Sequence, residues 1–310
     1  MRRQPQTWKK ACRTARRCFT VWGMDSGAAL KRLTARLRAA RVDEAQTKAE
    51  WLLAHALGCR RLEVYTHPER PLTPEAVAQL RAQSRRLAAG EPLQYVLGAT
   101  DFFGRRFITD PRALIPRPET ELLVETALGL PMLWTRETPR VADVGTGTGC
   151  VAITLAWERP DARLWAVDVS ADALALARAN AQRHGVEARI EWVHGDGLST
   201  FAPASLDLVV SNPPYVPTAE WSALPRDIRD YEPRVALDGG ADGLAVLVRL
   251  VAQAADKLAP AGWLALEIGE DQGRRVNDLM NRAGFVNIAV RKDLAGWDRV
   301  VVGRKAKAGI

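Results

Sequence analysis

The segment VADVGTGTGC, residues 141–150, decides the fold of this chain. Its first four residues are mostly apolar and predict a buried strand, and the glycines that follow at alternate positions predict a tight turn. Residues 151–157 then show the apolar pattern of a helix. A strand, a glycine-rich turn and a helix in this order predict an α/β fold.

The alternation of strands and helices continues from this segment to the end of the chain. The last two predicted strands, 285–290 and 299–302, are joined by a short turn-rich segment and should pair as an antiparallel hairpin. We therefore predict a doubly wound, mostly parallel sheet with a terminal antiparallel strand. The other predicted strands are 163–167, 189–193, 206–210 and 263–268, and the predicted helices are 119–128, 170–184, 244–258 and 271–283.

The chain before this sheet has a different character. Apolar residues at helical spacing between Ser26 and about Ala89 predict a small helical bundle, with Thr73 as an N-cap. Gln94–Leu97 and Arg106–Thr109 predict two short strands around a turn. The predicted domains are a basic leader (1–23), a helical substrate-docking domain (24–90), a β-hairpin linker (91–118) and a catalytic domain (119–310).

Positive charge is concentrated in the leader. The net charge is +8 and the sequence pI is 9.6, but residues 1–24 contain no Asp or Glu and carry Arg2, Arg3, Lys9, Lys10, Arg13, Arg16 and Arg17. The rest of the chain is nearly neutral, which disfavours a nucleic-acid-binding protein. The leader is expected to be disordered or to precede a natural start at Met24; an organelle transit peptide is the alternative.

Several other classes of protein are disfavoured by the sequence. No window approaches the about 18 consecutive apolar residues of a membrane span. The four cysteines form no C-x-x-C pair, and the four histidines are not spaced as metal ligands. We expect a monomeric, cytoplasmic enzyme without a metal site.

The glycine loop predicts the cofactor. Gly145, Gly147 and Gly149 let a ligand approach the backbone closely, and the loop also contains Thr146 and Thr148. A dinucleotide fingerprint would place its third glycine at position 150, which is a cysteine. The spacing suits S-adenosylmethionine better than a pyrophosphate, and the product would be S-adenosylhomocysteine.

Three acidic residues extend this predicted cofactor site. Asp168 ends the second strand, where an acid accepts hydrogen bonds from ribose hydroxyls; capping the next helix is its alternative role. Asp143 could hold the methionine ammonium through water or cap the turn. Asp196 follows the third strand, where the adenine amino group is contacted. Its neighbour Gly197 offers no side chain to pack on adenine, so that contact must come from elsewhere.

The predicted fourth strand leads into Asn212-Pro213-Pro214-Tyr215. An amide or aryl amine nitrogen is a poor nucleophile because its lone pair is delocalised, so a site must hold both of its N–H groups. The Asn212 side-chain oxygen and the Pro213 carbonyl can accept those hydrogen bonds, and the prolines fix the backbone. Tyr215 can lie against the flat substrate group. We predict methylation of a planar –NH2 group, catalysed mainly by alignment.

The motifs of the chain resemble those of the PrmC/HemK family, over about residues 26–304. Besides the two loops, the matching stretches are EPLQY (91–95) with Gly98, IPRPETE (115–121), EPR-x-AL-x-GG-x-DG (232–243) and RVV-x-GR (299–304). The resemblance implies an S-adenosylmethionine-dependent class I methyltransferase with a helical docking domain, acting on the glutamine of the Gly-Gly-Gln motif in peptide chain release factors.

By position, the resemblance implies that Gly145–Gly149, Asp168 and Asn212 bind the donor and that Asn212–Tyr215 hold the substrate amide. Arg117 and Glu119 would lie beside the active site, with an ion pair and a helix N-terminal acid as the alternative. The departure is Gly197, where some members have tryptophan.

Two other substrates stay open. A glutamine of a ribosomal protein is the substrate of a sister family, which differs in the linker that contains Arg117. Adenine or guanine amino groups of nucleic acids would use the same loop chemistry, but such enzymes should carry a basic groove or a recognition domain.

Overall fold

Two helices of the N-terminal region begin directly after residues that cap them. The computed structural model describes residues 24–307, and the chain divides into two compact units, 1–97 and 98–310. The Asp25 carboxylate accepts from the Ala28 N–H at 2.7 Å, and the Thr73 hydroxyl accepts from the Ala76 N–H at 3.2 Å. The helices are α1 (Ser26–Ala39), α2 (Ala45–Leu57), α3 (Pro74–Ala88) and α4 (Leu93–Leu97), with a 3-10 turn at Arg61–Tyr65.

The apolar positions that predicted this bundle form its core. Leu37, Leu52, Leu53 and Leu87 are fully buried and belong to one hydrophobic cluster. The predicted N-terminal helical bundle and the N-cap at Thr73 are therefore confirmed. The predictions for residues 1–23 lie outside the described residues.

The predicted strand Gln94–Leu97 is wrong, because these residues form helix α4. The carbonyls at the end of this single turn are satisfied by side chains of α3: Arg86 donates to Tyr95 O at 3.0 Å, and Gln83 donates to Val96 O at 3.4 Å. Such tertiary hydrogen bonds override the local preference of a short segment.

The hairpin of the linker lies entirely after α4. Strand β1 (Ala99–Phe102) pairs antiparallel with β2 (Arg105–Ile108). The predicted strand at Arg106–Thr109 is thus present, but its partner begins at Ala99. Phe102 and Phe107, buried from opposite strands, pack edge to face with their ring centroids 6.0 Å apart.

The second unit, 98–310, contains a seven-stranded sheet of order β5-β4-β3-β6-β7-β9-β8. The strands from β3 to β7 are parallel to one another, and β9 is antiparallel to both β7 and β8. The predicted sheet and its terminal antiparallel hairpin are confirmed. The strands are β3 (Arg140–Val144), β4 (Arg163–Asp168), β5 (Ile190–His194), β6 (Leu206–Ser211), β7 (Leu258–Glu267), β8 (Phe285–Lys292) and β9 (Asp298–Lys305).

Helices cover this sheet, which explains why its central strands are so apolar. All six residues of β6 are buried, as expected for a strand with both faces covered. The helices are α5 (Glu119–Leu128), α6 (Cys150–Glu158), α7 (Ala171–Arg183), α8 (Arg226–Tyr231), α9 (Ala245–Lys257) and α10 (Gly273–Arg282), with 3-10 turns at Glu187–Arg189, Thr218–Ala223 and Arg234–Ala236.

The strand order determines where a ligand can bind. The sequence order of the strands reverses between β3 and β6, and the crevice beyond the carboxyl ends of these two strands is the position where open α/β sheets bind ligands. The glycine loop follows β3 and the Asn-Pro-Pro-Tyr loop follows β6, so the two motifs meet there. Within residues 24–307, no helix is long and apolar enough to span a membrane.

Candidate active site

A cavity of about 690 Å³ opens at this crevice of the sheet. This volume lies in the range of small-molecule sites. Most of the predicted site residues line the cavity, while Gly149, Tyr215 and Glu119 do not. The predicted residues that line it are Asp143, Gly145, Thr146, Gly147, Thr148, Asp168, Asp196, Gly197, Asn212, Pro213, Pro214 and Arg117.

The glycines of the first loop have separate roles. Gly147 has a φ of +55° and its N–H donates to Asp168 Oδ2 at 2.9 Å. Gly149 has a φ of +81°, and a Cβ added there would lie 2.9 Å from Ile153 Cδ1 and 3.1 Å from Ala177 Cβ. Gly147 thus shapes the loop around the Asp168 carboxylate, and Gly149 allows α6 and α7 to pack closely.

Asp143 caps the loop, which is one of its two predicted roles. Its Oδ2 accepts from the Thr146 hydroxyl at 2.7 Å and from the Ala152 N–H at 3.1 Å. Complete burial raises the pKa of this carboxyl to about 7, although the two hydrogen bonds oppose the rise.

Asp168 joins the ends of two loops. Its Oδ2 accepts from Gly147 N–H, and its Oδ1 accepts from the Ser170 N–H at 2.9 Å. The helix cap itself is the Ser170 hydroxyl, which accepts from the Ala173 N–H at 3.1 Å. Burial raises the pKa of Asp168. The carboxylate therefore orders the glycine loop and also lines the cavity.

The structure shows what occupies the space beside Gly197. A Cβ at this glycine would lie 2.1 Å from Gln253 Oε1, which accepts from the Leu198 N–H at 2.9 Å. Gln253, on α9, therefore fills the volume that a larger residue at 197 would need. Asp196 is largely exposed and forms an ion pair of 2.9 Å with Arg249.

The Asn-Pro-Pro-Tyr loop is fixed to the strand next to it and to the segment after it. Ser211 Oγ donates to Val144 O at 2.6 Å, and Gly239 N–H donates to Val216 O at 2.8 Å. A Cβ at Gly239 would lie 2.8 Å from Tyr215 Cα and 2.9 Å from Pro214 O. Only glycine allows the two segments to approach so closely.

Asn212 has a defined side-chain orientation. Its Nδ2 donates to Thr120 Oγ1 at 3.1 Å. Within residues 24–307, neither Asn212 Oδ1 nor Pro213 O accepts a hydrogen bond. These two oxygens, predicted to accept from the substrate amide, therefore stay available.

Tyr215 does not line the cavity, and its contact with the flat substrate group stays a prediction. Its ring packs against the hydrophobic core, and its hydroxyl donates toward Glu267 Oε1 at 3.5 Å. Burial raises the pKa of the Tyr215 hydroxyl, and the nearby Glu267 carboxylate adds to the rise. Thr120 and Glu267 were not singled out individually, because their proximity to Asn212 and Tyr215 arises only when α5 and β7 pack beside β6.

Arg117 lines the cavity and also forms an ion pair, the alternative role that the sequence left open. Its guanidinium binds the carboxylate of Glu232, which also accepts from the Ile115 N–H at 3.1 Å. Only 1% of the Glu232 side chain is exposed, against 29% for Arg117. Glu119 lies in the first turn of α5, where an acid interacts favourably with the helix dipole. The ion pair ties the linker to the segment after the catalytic loop.

Replacing Arg117 by methionine is expected to lower the free energy of unfolding by about 2 kcal/mol, since the buried Glu232 carboxylate loses its counter-charge. Burial raises the pKa of Glu232 and Arg117 opposes the rise. A carboxyl with a raised pKa in the folded state costs stability as pH increases, so the deficit should be larger at pH 8 than at pH 5. Urea unfolding at both pH values measures it.

The matched control is Arg226→Met. Arg226 pairs with Asp230 at 3.1 Å, but 70% of its side chain is exposed. Because this pair is exposed to solvent, its removal should change the free energy of unfolding little at either pH. Equal losses for the two variants would show that the Arg117 pair is not energetically special.

Comparison with known proteins agrees with this geometry. Residues 28–98 match the PrmC N-terminal domain, and residues 119–224 match the methyltransferase small domain. The release factor glutamine methyltransferase of Geobacter sulfurreducens is 43% identical over 85% of this chain and 90% of its own length. The enzyme of the same name from Chlorobaculum tepidum is 44% identical over 84% and 90%.

The chain belongs to the release factor glutamine methyltransferase family. It is thus an S-adenosylmethionine-dependent methyltransferase, as the glycine loop predicted. Among solved structures, the hMettl16 catalytic domain in complex with the MAT2A 3′UTR hairpin 6 has a TM-score of 0.53. That likeness covers 74% of this chain and 82% of the other at 13% identity, and it shows the fold alone.

The cavity has the groups that the donor of this family requires. The glycine loop and Asp168 both line the cavity, and the Asp168 carboxylate can accept from hydroxyls. Among the described residues, no cluster of His, Cys, Asp and Glu could hold a metal ion.

Proposed function

We propose that this enzyme transfers a methyl group from S-adenosylmethionine to the side-chain amide nitrogen of the glutamine in the Gly-Gly-Gln motif of peptide chain release factors. The orientation of Asn212 carries the proposal. Its Nδ2 is engaged by Thr120, so Oδ1 is left to accept from a primary amide. Membership in the release factor glutamine methyltransferase family supports glutamine as the amide.

The chain's own residues act by alignment. Asn212 Oδ1 and Pro213 O accept the two N–H groups of the substrate amide, which turns the nitrogen lone pair toward the donor. Pro213 and Pro214 restrict the backbone so that the carbonyl keeps its direction. When bound, S-adenosylmethionine supplies an electrophilic methyl group. Both acceptor oxygens also stabilise the positive charge that grows on the nitrogen.

We also propose that the helical unit, 24–90, docks the release factor. It has its own hydrophobic core, and its residues from 28 onward match the PrmC N-terminal domain. Its surface exposes large side chains that could bury against a protein: Leu62 and Tyr65 on the 3-10 turn and, in part, Trp51 on α2.

The proposal is tested by methyl transfer to purified release factor, with the full chain and S-adenosylmethionine, read by mass spectrometry of the peptides. We expect a gain of one methyl group on the Gly-Gly-Gln glutamine. A release factor with this glutamine replaced by alanine is the matched control and should gain none. Methylation of a ribosomal protein or of nucleic acid, with none on the release factor, would overturn the proposal.

The arginine-rich leader is left out of this proposal. A monomeric state, a cytoplasmic location and the absence of a stable nucleic-acid partner stay predictions. Size-exclusion chromatography with light scattering measures the first of these directly.

A further inference from the structure

A carboxyl that takes no part in the mechanism above is buried beside the catalytic loop. Glu267 ends β7, next to β6 in the sheet, and is 1% exposed. An ionisable group buried this deeply is costly unless its surroundings compensate it. The groups around Glu267 should therefore explain why a carboxyl is buried there.

Two hydroxyls surround this carboxyl. Tyr215 donates toward Oε1 at 3.5 Å, and the Thr120 hydroxyl lies close enough to lower the pKa of the carboxyl. Within residues 24–307, the second oxygen, Oε2, is buried without a hydrogen-bond partner. Ionised Glu267 can only accept, so it attracts the hydrogens of both hydroxyls.

Thr120 connects this carboxyl to the catalytic loop. Its Oγ1 accepts from Asn212 Nδ2 at 3.1 Å, and it is 2% exposed. A hydroxyl has one hydrogen. Because Oγ1 accepts from Asn212 through a lone pair, its own hydrogen is left to turn toward the nearby Glu267 carboxyl.

We propose that Glu267 is a positioning residue, which acts through Thr120 to hold the amide of Asn212 with Oδ1 toward the substrate. The inference rests on the proposed function, since it assumes that Asn212 Oδ1 accepts from a substrate amide. If the amide turned over, Nδ2 would face the substrate N–H groups and repel them. A buried network with fixed donors keeps the productive orientation before substrate arrives.

The charge state of Glu267 controls this arrangement. Burial raises the pKa of its carboxyl to about 7, opposed by Thr120, Arg299 and Tyr215, while Glu119 adds to the rise. Cys150 also lies near enough to interact with the Glu267 charge. Once protonated, Glu267 can donate to Thr120, whose hydrogen is then free to turn toward Asn212 Nδ2. Turnover should fall as pH decreases through about 7.

The test uses single-turnover methyl transfer by the full-length enzyme to release factor. Thr120→Val removes the hydroxyl at nearly constant volume, and Glu267→Gln removes the charge. Each should lower kcat by about 10- to 100-fold, with the Kd for S-adenosylmethionine within about twofold. Because both act on one network, the double variant should be little worse than the poorer single variant. Thr120→Ser keeps the hydroxyl and should rescue activity.

The pH profile separates positioning from a merely structural role. The wild type should lose kcat at acid pH, whereas Thr120→Val and Glu267→Gln should both lack that limb. Thermal unfolding checks each fold, and Thr120→Ala replaces the valine variant if that does not fold. Additive losses, or an acid limb that persists in both variants, overturn the inference. No methylation by the wild type contradicts the proposed function instead, so the two failures are distinct.

Discussion

Replacing Asn212 by alanine is expected to lower kcat by about 10²- to 10³-fold while the affinity for S-adenosylmethionine changes little. In the proposed mechanism, the side-chain oxygen is one of two acceptors that fix the substrate amide, and the Asn212 Nδ2 is already engaged by Thr120. A preorganised hydrogen bond of this kind contributes mainly in the transition state, where charge grows on the nitrogen. Single-turnover assays measure the rate, and calorimetry measures donor binding.

Asn281→Ala is the matched control for this prediction. Asn281 is exposed on α10, where its Nδ2 donates to Asn277 Oδ1 at 2.7 Å. This variant should keep both the rate and the donor affinity. If Asn212→Ala loses donor binding but keeps its turnover per bound donor, the role assigned to Asn212 is incorrect.

Replacing Asp168 by asparagine is expected to raise the Kd for S-adenosylmethionine by about 10- to 100-fold. The carboxylate uses one oxygen for Gly147 N–H and the other for Ser170 N–H, and an amide can offer only one acceptor. The variant should thus loosen the glycine loop and also weaken the predicted hydrogen bond to a ribose hydroxyl of S-adenosylmethionine. Titration calorimetry with the donor and with S-adenosylhomocysteine should show the same loss.

The dependence on pH gives the same prediction a second measurement. Burial raises the pKa of Asp168, so its carboxyl takes up a proton at higher pH than an exposed one. Donor affinity of the wild type should fall as pH decreases through that raised pKa. The asparagine variant has no proton to gain there and should show a flatter profile.

Asp172→Asn is the matched control for charge. Asp172 is exposed in the first turn of α7, four residues after Asp168. It removes the same charge from the same region without removing an acceptor from the glycine loop. Equal losses of affinity in both variants would assign the effect to general electrostatics and contradict the role of Asp168.

The strands of the sheet could be predicted from sequence because their residues are buried on both faces. Apart from Asp207 and the final serine, the residues of β6 are apolar. The bounds of this strand differ from the prediction by one residue. Gln94–Leu97 was misassigned because a single turn has no room for a repeating pattern. Its conformation depends on hydrogen bonds from Arg86 and Gln83, which lie 9 and 13 residues before the carbonyls that they bind.

In the candidate site too, some positions could be predicted from local sequence and others depend on tertiary contacts. Asp168 ends β4 and Asn212 directly follows β6, so local sequence indicates their place at the edge of the sheet. Gln253 instead reaches Gly197 from a helix far along the chain, and its own surroundings in sequence contain no motif. What fills the space beside Gly197 could therefore not be predicted from the local sequence.

The segment 141–150 and the Asn212–Tyr215 loop determined by themselves that this chain is an α/β enzyme with the loop chemistry of methyl transfer. Such motifs work through backbone conformation, which is fixed by residues adjacent in sequence. Only the tertiary structure decided that Tyr215 faces Glu267, that Thr120 orients Asn212 and that Arg117 binds Glu232. These contacts join separate elements, and packing selects them because each buried polar group needs a partner.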